Sequence, residues 1–354
     1  MSGKILRNRY GRMLMLGGLL LLTAVLAGCG SKTPQDKQAT QPVETKTVTV
    51  YSGRSEELVG PLFKRFEEES GIKVQVRYGD TAELAATILE EGRNSPADIF
   101  LAQDAGALGA VAQKELFAKL KNDTLEKVEP RFRSPKGEWV GVSGRARVIV
   151  YNSDKLKESD LPASILGFTD PKWKGRIGWA PTNGSFQAFV TAMRISLGEE
   201  ATSNWLKGIL ANKPAVFPKN TPIVEAVGKG EIDVGFVNHY YVFRIKAERG
   251  DNYPANIYYP RGGDPGALIN VAGAGVLNSS KQKETAEKLI EYMLSDAAQQ
   301  YFTDQTYEYP LVKGIKVRPD LVPLAQIETP DMDLSDLADL ENTLKMLQET
   351  GVLK

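Results

Sequence analysis

The chain has 354 residues, 42% of them hydrophobic and 25% charged, the proportions of a soluble globular protein long enough for two domains. Its 44 basic and 44 acidic residues cancel, which gives no support to a nucleic-acid partner. A single cysteine excludes an internal disulfide, and a single histidine excludes multi-histidine metal sites and the HExxH motif.

In chain order, the opening "MSGKILRNRYGR" carries Lys4, Arg7, Arg9 and Arg12 and precedes the apolar run "MLMLGGLLLLTAVLAG". That run is shorter than the roughly 20 residues a bilayer-spanning helix needs. A basic start, a short apolar stretch and small residues before a break predict an export signal over 1–28. Its removal takes away four basic residues and leaves a net charge of about −4. The run ends in "LAGC", which resembles the lipobox of bacterial lipoproteins, whose cysteine is lipidated and becomes the new N-terminus. The resemblance implies lipidation at Cys29, which leaves no thiol for catalysis. Residues 29–46 are poor in apolar side chains, cannot offset their ordering entropy, and read as a flexible tether.

From Thr47 the hydrophobic period alternates between 2 and 3.6. "TVTVYSG" predicts a strand, and "SEELVGPLFKRFEEESG" a helix capped by Ser55, with Glu56 and Glu57 at the positive end of its dipole. Leu58, Leu62, Phe63 and Phe66 form its expected buried stripe, and Gly71 its end. "IKVQVRYG" is a second strand. Asp80 and Glu83 form an expected capping box for a helix that buries Leu84, Ile88 and Leu89. "PADIFLA" is a third strand, and this β-α-β-α-β run argues for a parallel sheet flanked by helices.

Further on, "WVGVSGRARVIVYN" predicts a strand long enough to run between two lobes, and "GRIGWAPT" another, followed by a helix from about Phe186 to Leu197. "SNWLKGILA" is helical, "EIDVGFVNHYY" a buried strand, and "GALINVAGAGVLN" a strand returning to the first lobe. "KQKETAEKLIEYMLSDAAQQYF" reads as one helix. Leu334, Leu337, Leu340, Leu344 and Leu347 form the stripe of a last helix packed on the body.

Catalytic motifs are missing. No GxSxG elbow could supply a serine to the one histidine, "AVGKGE" lacks the spacing of a P-loop, and there is no GxGxxG. In open α/β sheets, ligands collect at the C-terminal ends of strands and at helix N-termini. Four strand-to-helix junctions have such character, at "YSGRS" (51–55), "LAQDA" (101–105), "PTNGSF" (181–186) and "VNHYY" (237–241). Together they predict a site in a cleft between two lobes.

The blocks "VTVYSGRSEELVGPLFKRFEEESGIKVQVRYGD", "SPADIFLAQDAGALG", "SGRARVIVYN", "PKWKGRIGWAPTNGSFQAFV", "GEIDVGFVNHYY" and "DPGAL" resemble the ferric-ion-binding proteins of bacterial ABC importers, in order and spacing, from about residue 47 onward. The resemblance implies an α/β fold of the two-lobed type II periplasmic-binding-protein kind, with mixed sheets flanked by helices and a ligand cleft between the lobes. Residues 47–147 with 272–322 would form the N-terminal lobe, and 148–271 with 323–354 the C-terminal one. It further implies a lipid-anchored, extracytoplasmic, monomeric receptor that serves an ABC permease and touches the membrane only through its anchor.

The family's iron-binding element is an adjacent tyrosine pair, here Tyr240 and Tyr241. Fe³⁺ is a hard cation that prefers anionic oxygen, and a trivalent ion readily draws off a phenolic proton. Neighboring side chains on a regular strand point to opposite faces, so two phenolates converge only where the strand ends. Some members add a histidine and a glutamate from the first lobe. This chain has Ser55 and Gln103 there, which puts that part of the coordination sphere in doubt. Others use a third tyrosine or a bound anion such as carbonate or phosphate. The anion loop corresponds to Asn183, Gly184 and Ser185, with Asn220 and Asn238 at further matching positions, and Arg54 is placed to assist. Tyr51 and Tyr78 are expected to pack, His239 to be structural, and Arg147 to form a lobe-locking salt bridge or a ligand contact. Two other readings stay open: an organic-anion receptor of the same fold, and an extracytoplasmic hydrolase or transferase.

Overall fold

The computed structural model describes residues 46–353. The signal segment, Cys29 and all of the tether but its last residue lie outside the described residues.

The first half of the chain alternates strands and helices as its periodicity requires. Strand β1 (Thr47–Ser52) leads to α1 (Glu56–Ser70), β2 (Lys73–Tyr78), α2 (Thr81–Glu91), β3 (Ile99–Ala102) and α3 (Ala105–Gln113). Strands β2, β1 and β3 lie side by side in parallel, as expected. Helix α1 ends on Gly71 at φ 71, a left-handed conformation that glycine adopts without a side-chain clash. Its buried stripe is Val59, Leu62, Phe63 and Phe66, one residue off the expected set, because Leu58 turns partly toward solvent. Asp80 caps α2 by accepting from the Ala82 N–H, while Leu89, expected in the core, is 38% exposed.

After a short helix α4 (Asn122–Leu125) comes β4 (Val140–Asn152), thirteen residues long and buried throughout. Its near-continuous run of Val, Ile, Ala and small residues suits a strand covered on both faces. Residues 140–146 pair antiparallel with β9 (Ile269–Val276), which also pairs with β3. Residues 147–151 pair with β7 (Val234–Asn238), and 149–152 with β8 (Ala255–Tyr258). Strand β7 continues to β5 (Ile177–Trp179) and β6 (Ala215–Val216), giving the order β2-β1-β3-β9-β4-β7-β5-β6 with β8 on β4. Strand β4 therefore belongs to both halves of the sheet.

Helices α5 (Gly184–Leu197), α6 (Glu199–Ala211), α7 (Asn220–Gly228) and α8 (Tyr240–Arg249) cover the second half. Trp173, Trp179, Phe186, Phe189, Trp205 and Phe236 form an aromatic core there, with edge-to-face contacts such as Trp179 on Phe186 at 5.6 Å. The expected single helix over 281–302 is instead two, α9 (Lys283–Met293) and α10 (Asp296–Gln305). Ser295 separates them by accepting from the Ala298 N–H, the local side-chain bond that starts a new helix. The final leucine stripe likewise divides, into a 3₁₀ turn (Leu334–Ala338) against α3 and helix α11 (Leu340–Glu349) against α5. Leu334, Leu337 and Leu347 are buried, and Leu340 and Leu344 only half so.

Candidate functional site

The tyrosine pair owes its placement to His239. Strand β7 ends at Asn238, and the His239 N–H donates to the Ala146 carbonyl at 3.0 Å. The Ala146 N–H in turn donates to His239 Nδ1 at 3.1 Å. Nδ1 is thus an acceptor, so the ring proton sits on Nε2, which donates to the Tyr307 carbonyl at 2.8 Å. Burial pushes the imidazole down to about 3, despite those two backbone bonds, and keeps it neutral. Its ring lies 4.7 Å from that of Tyr309. With all its polar atoms spent, His239 is scaffold, as expected from the sequence.

The chain turns into α8 directly after this pin, so Tyr240 and Tyr241 stand on the helix's first turn. Their rings lie 4.3 Å apart at 30°. Tyr240 is buried, and Tyr241 is half-buried. Burial raises the Tyr241 pKa, and the adjacent Tyr240 hydroxyl raises it further; a bond from Asn220 and the charge of Arg145 oppose this without reversing it.

Both tyrosines line one cavity with Gly53, Arg54, Ser55, Glu56, Tyr78, Gly79, Gln103 and Arg244. The junctions after β1, β2, β3 and β7 thus meet there, which brings together Arg54, Ser55 and Gln103 with the pair. A second, small chamber shares Gln103 and is lined by Asp104, Arg145, Arg147, Ser185, Phe189, Asn238, Leu268 and Asn270. The predicted loop caps α5: Asn183 Oδ1 accepts from the Ser185 N–H at 3.1 Å, and beside it the Asn220 amide approaches Asn183 Oδ1 at 3.3 Å and Ser185 Oγ at 3.4 Å. Gly184 faces open space where a side chain would stand. Asn220 Oδ1 is buried without a partner.

Arg54 reaches the cavity, but its charge is already matched. Its Nη2 donates to Glu308 at 2.6 Å, and both side chains are buried. Burial works against the guanidinium's charge, but Glu308, with the Tyr240 and Tyr241 hydroxyls, outweighs it and raises the pKa. Glu308 also accepts from Ser143 Oγ at 3.0 Å and Thr306 Oγ1 at 3.2 Å. Arg147 makes no ion pair among the described residues. Of its two expected roles the lobe-locking salt bridge does not form; its Nη2 donates to the Phe236 carbonyl at 2.7 Å, with Cζ 5.2 Å from the Phe189 ring centroid. Tyr51 is packed, its hydroxyl donating to Glu91 at 3.0 Å. Tyr78 packs against the core as expected and also lines the cavity.

Sequence reasoning missed three residues. Glu56 was legible only as a helix-dipole residue, although it is the carboxylate lining the tyrosine cavity. Arg145 carries a signal after all, since it stands two residues before Arg147 on a strand and so shares its face. Glu308 carries none, because its partner Arg54 is 254 positions away. Among the described residues no three His, Cys, Asp or Glu side chains gather as a metal cluster, so the anionic oxygens for a hard cation are the two phenols, Tyr78 and Glu56.

Two α/β halves joined through a shared central strand, with a polar site at strand-to-helix junctions from both, define a two-lobed receptor of the type II periplasmic-binding-protein fold. The family model for bacterial extracellular solute-binding proteins matches residues 94–336, and the chain belongs to that family. It is 36% identical to the Fe(3+)-binding periplasmic protein of Serratia marcescens, over 86% of this chain and 90% of that one. It is also 36% identical to the major ferric iron-binding protein of Neisseria meningitidis, over 86% and 93%. Among solved structures, iron-bound HitA from Pseudomonas aeruginosa superposes with a TM-score of 0.81 at 36% identity, covering 86% of this chain and 99% of that one.

Proposed function

We propose that this protein is an extracytoplasmic substrate-binding lipoprotein of an ABC importer that captures ferric iron through Tyr240 and Tyr241 and delivers it to a membrane permease. It acts as a monomeric receptor, not as an enzyme, anchored through lipidated Cys29. The observation that carries this reading is the phenol pair itself, with rings 4.3 Å apart at a helix start that opens on a cavity between junctions of both halves. The names of its relatives, periplasmic or ferric-binding, support both the cargo and the compartment.

The chemistry is that of a hard trivalent ion displacing two phenolic protons. Burial holds the proton on Tyr241 until a cation draws it off. Ser55 and Gln103 add no charge, and an oxyanion such as carbonate or phosphate completes the coordination. Closure around the cargo is driven only by its greater affinity for the closed form.

The test is optical. Tyrosinate-bound Fe³⁺ gives a visible charge-transfer band, so ferric ion added with a weak chelator should color the wild type. Tyr240→Phe and Tyr241→Phe should each lose most of that band. A colorless wild type would overturn the ferric reading in favor of an organic-anion receptor of the same fold.

A further inference from the structure

The last part of the chain passes between the two halves of the molecule. It is fixed to the second half at Thr329, whose Oγ1 accepts from the Ile269 N–H at 3.1 Å where β9 starts. It then reaches the first half, where the 3₁₀ turn Leu334–Ala338 buries Leu334 and Leu337 against α3. Gly106 and Gly109 let the turn's backbone lie on the helix, and the Ala338 methyl stands 3.2 Å from where a Gly109 Cβ would be. The very next residue is held by the second half. Arg194 of α5, its side chain 5% exposed, donates to the Asp339 carboxylate at 2.9 Å and to the Asp339 carbonyl at 3.0 Å. Thr343 adds bonds to Arg194 at 2.8 Å and to Thr191 at 2.7 Å, and Leu347 enters the aromatic core.

We propose that residues 334–343 form a strap that ties α3 to α5 and makes this edge of the cleft the pivot about which the two halves part. Ala338 is seated on α3 and Asp339 on α5, and consecutive Cα atoms are only about 3.8 Å apart. No slack lies between the two anchors, so α3 and α5 cannot separate beyond that reach unless one anchor leaves its seat. Stripping the first exposes Leu334 and Leu337 to water, and stripping the second takes the Asp339 acceptors from a buried guanidinium. The chamber lined by Asp104 and Ser185, where these two helices begin, therefore lies beside the pivot. On the tyrosine side α1 and α8 are bridged by Arg244 and Glu57 at 2.9 Å, an ion pair open to water and therefore weak. The bonds from Tyr307 to His239 and from Tyr309 to Tyr259 lie against β4, at the strand both halves share. The halves accordingly part at the tyrosines and turn about the strap.

The test measures distances by pulsed electron paramagnetic resonance in the full-length chain without iron, with Cys29→Ser so that only introduced cysteines take a spin label. Gln113→Cys with Lys207→Cys reports the strap edge, and Lys64→Cys with Glu248→Cys the tyrosine edge; all four positions are exposed. With the natural strap, the strap-edge pair should give one narrow distance. Inserting Gly-Ser-Gly-Ser between Ala338 and Asp339 keeps both anchors and adds up to about 14 Å of slack. It should broaden the strap-edge distance by about 5 Å or more while the urea midpoint stays nearly unchanged, because lengthening a loop costs little. An unchanged strap-edge distance in the insertion variant would overturn the proposal. Should that variant fail to fold, the natural strap decides. A strap-edge distribution narrower than the tyrosine-edge one supports the pivot, and one equally broad or broader overturns it.

Discussion

Glu308 is the residue through which a distant part of the chain reaches the tyrosine pair. Fully buried, it holds Arg54 against Tyr240 while Ser143 and Thr306 satisfy its second oxygen. Glu308→Ala would strand a buried guanidinium and should cost about 3–5 kcal/mol in urea unfolding. The double variant Arg54→Met, Glu308→Leu should recover most of that loss, since an apolar pair of similar volume needs no counter-charge. Glu56 behaves differently, being exposed and outside the core. Glu56→Gln should leave stability unchanged and lower ferric affinity by roughly tenfold, read by competition with a chelator. Residue placement was legible where chemistry is local, as in the asparagine at the start of α5, whose side chain accepts from the Ser185 N–H. Glu308 and Arg54 show the opposite, a pair whose meaning exists only after folding.

At the scale of elements, close approach is set by small residues and by pinned strand ends. Helix α3 meets the 3₁₀ turn Leu334–Ala338 through Gly106 and Gly109, where an added Cβ would stand 2.5 Å from the carbonyl oxygens of Leu337 and Ser335. Gly109→Ala should therefore cost about 1–3 kcal/mol, measured by urea unfolding, because backbone rather than a flexible side chain must yield. Strands β5 and β7 are held at their starts by Asp233, which accepts from Arg176 Nε and from Lys155 Nζ. Burial favors the neutral acid, yet Arg176 and Lys155 outweigh it and depress the Asp233 pKa. A depressed carboxylate stabilizes above its unfolded pKa and loses that contribution as pH falls through the folded one. Asp233→Asn should thus destabilize by roughly 1 kcal/mol at neutral pH, and wild type and variant should converge in acid. Element order followed from periodicity, whereas the break at Ser295 did not: "YMLSDAAQQYF" keeps a helical period across it. A serine inside such a run is read correctly only when its side chain is seen to cap.

On the scale of the whole molecule, strand β4 is the feature on which function turns. It pairs with β9 through Ala146 and with β7 from Arg147, so both halves of the sheet meet where the two arginines point into the chamber. His239 fastens the tyrosine helix to that same point through Ala146 and Tyr307. His239→Leu would leave the buried Ala146 N–H without its side-chain acceptor and the half-buried Tyr307 carbonyl without its donor, and should cost about 1–3 kcal/mol in urea unfolding. The two-lobed plan was legible because strand and helix patterns alternate in both halves and the long strand between them is thirteen residues, mostly apolar or small. The charge balance of the cleft was not, since it depends on which arginine finds a carboxylate across the fold. The most direct test of iron capture by the tyrosine pair is anomalous diffraction from crystals of the iron-loaded protein, recorded at the iron edge. The account predicts one strong peak within coordination distance of both the Tyr240 and Tyr241 hydroxyl oxygens. A peak elsewhere, or no peak at all, would contradict it.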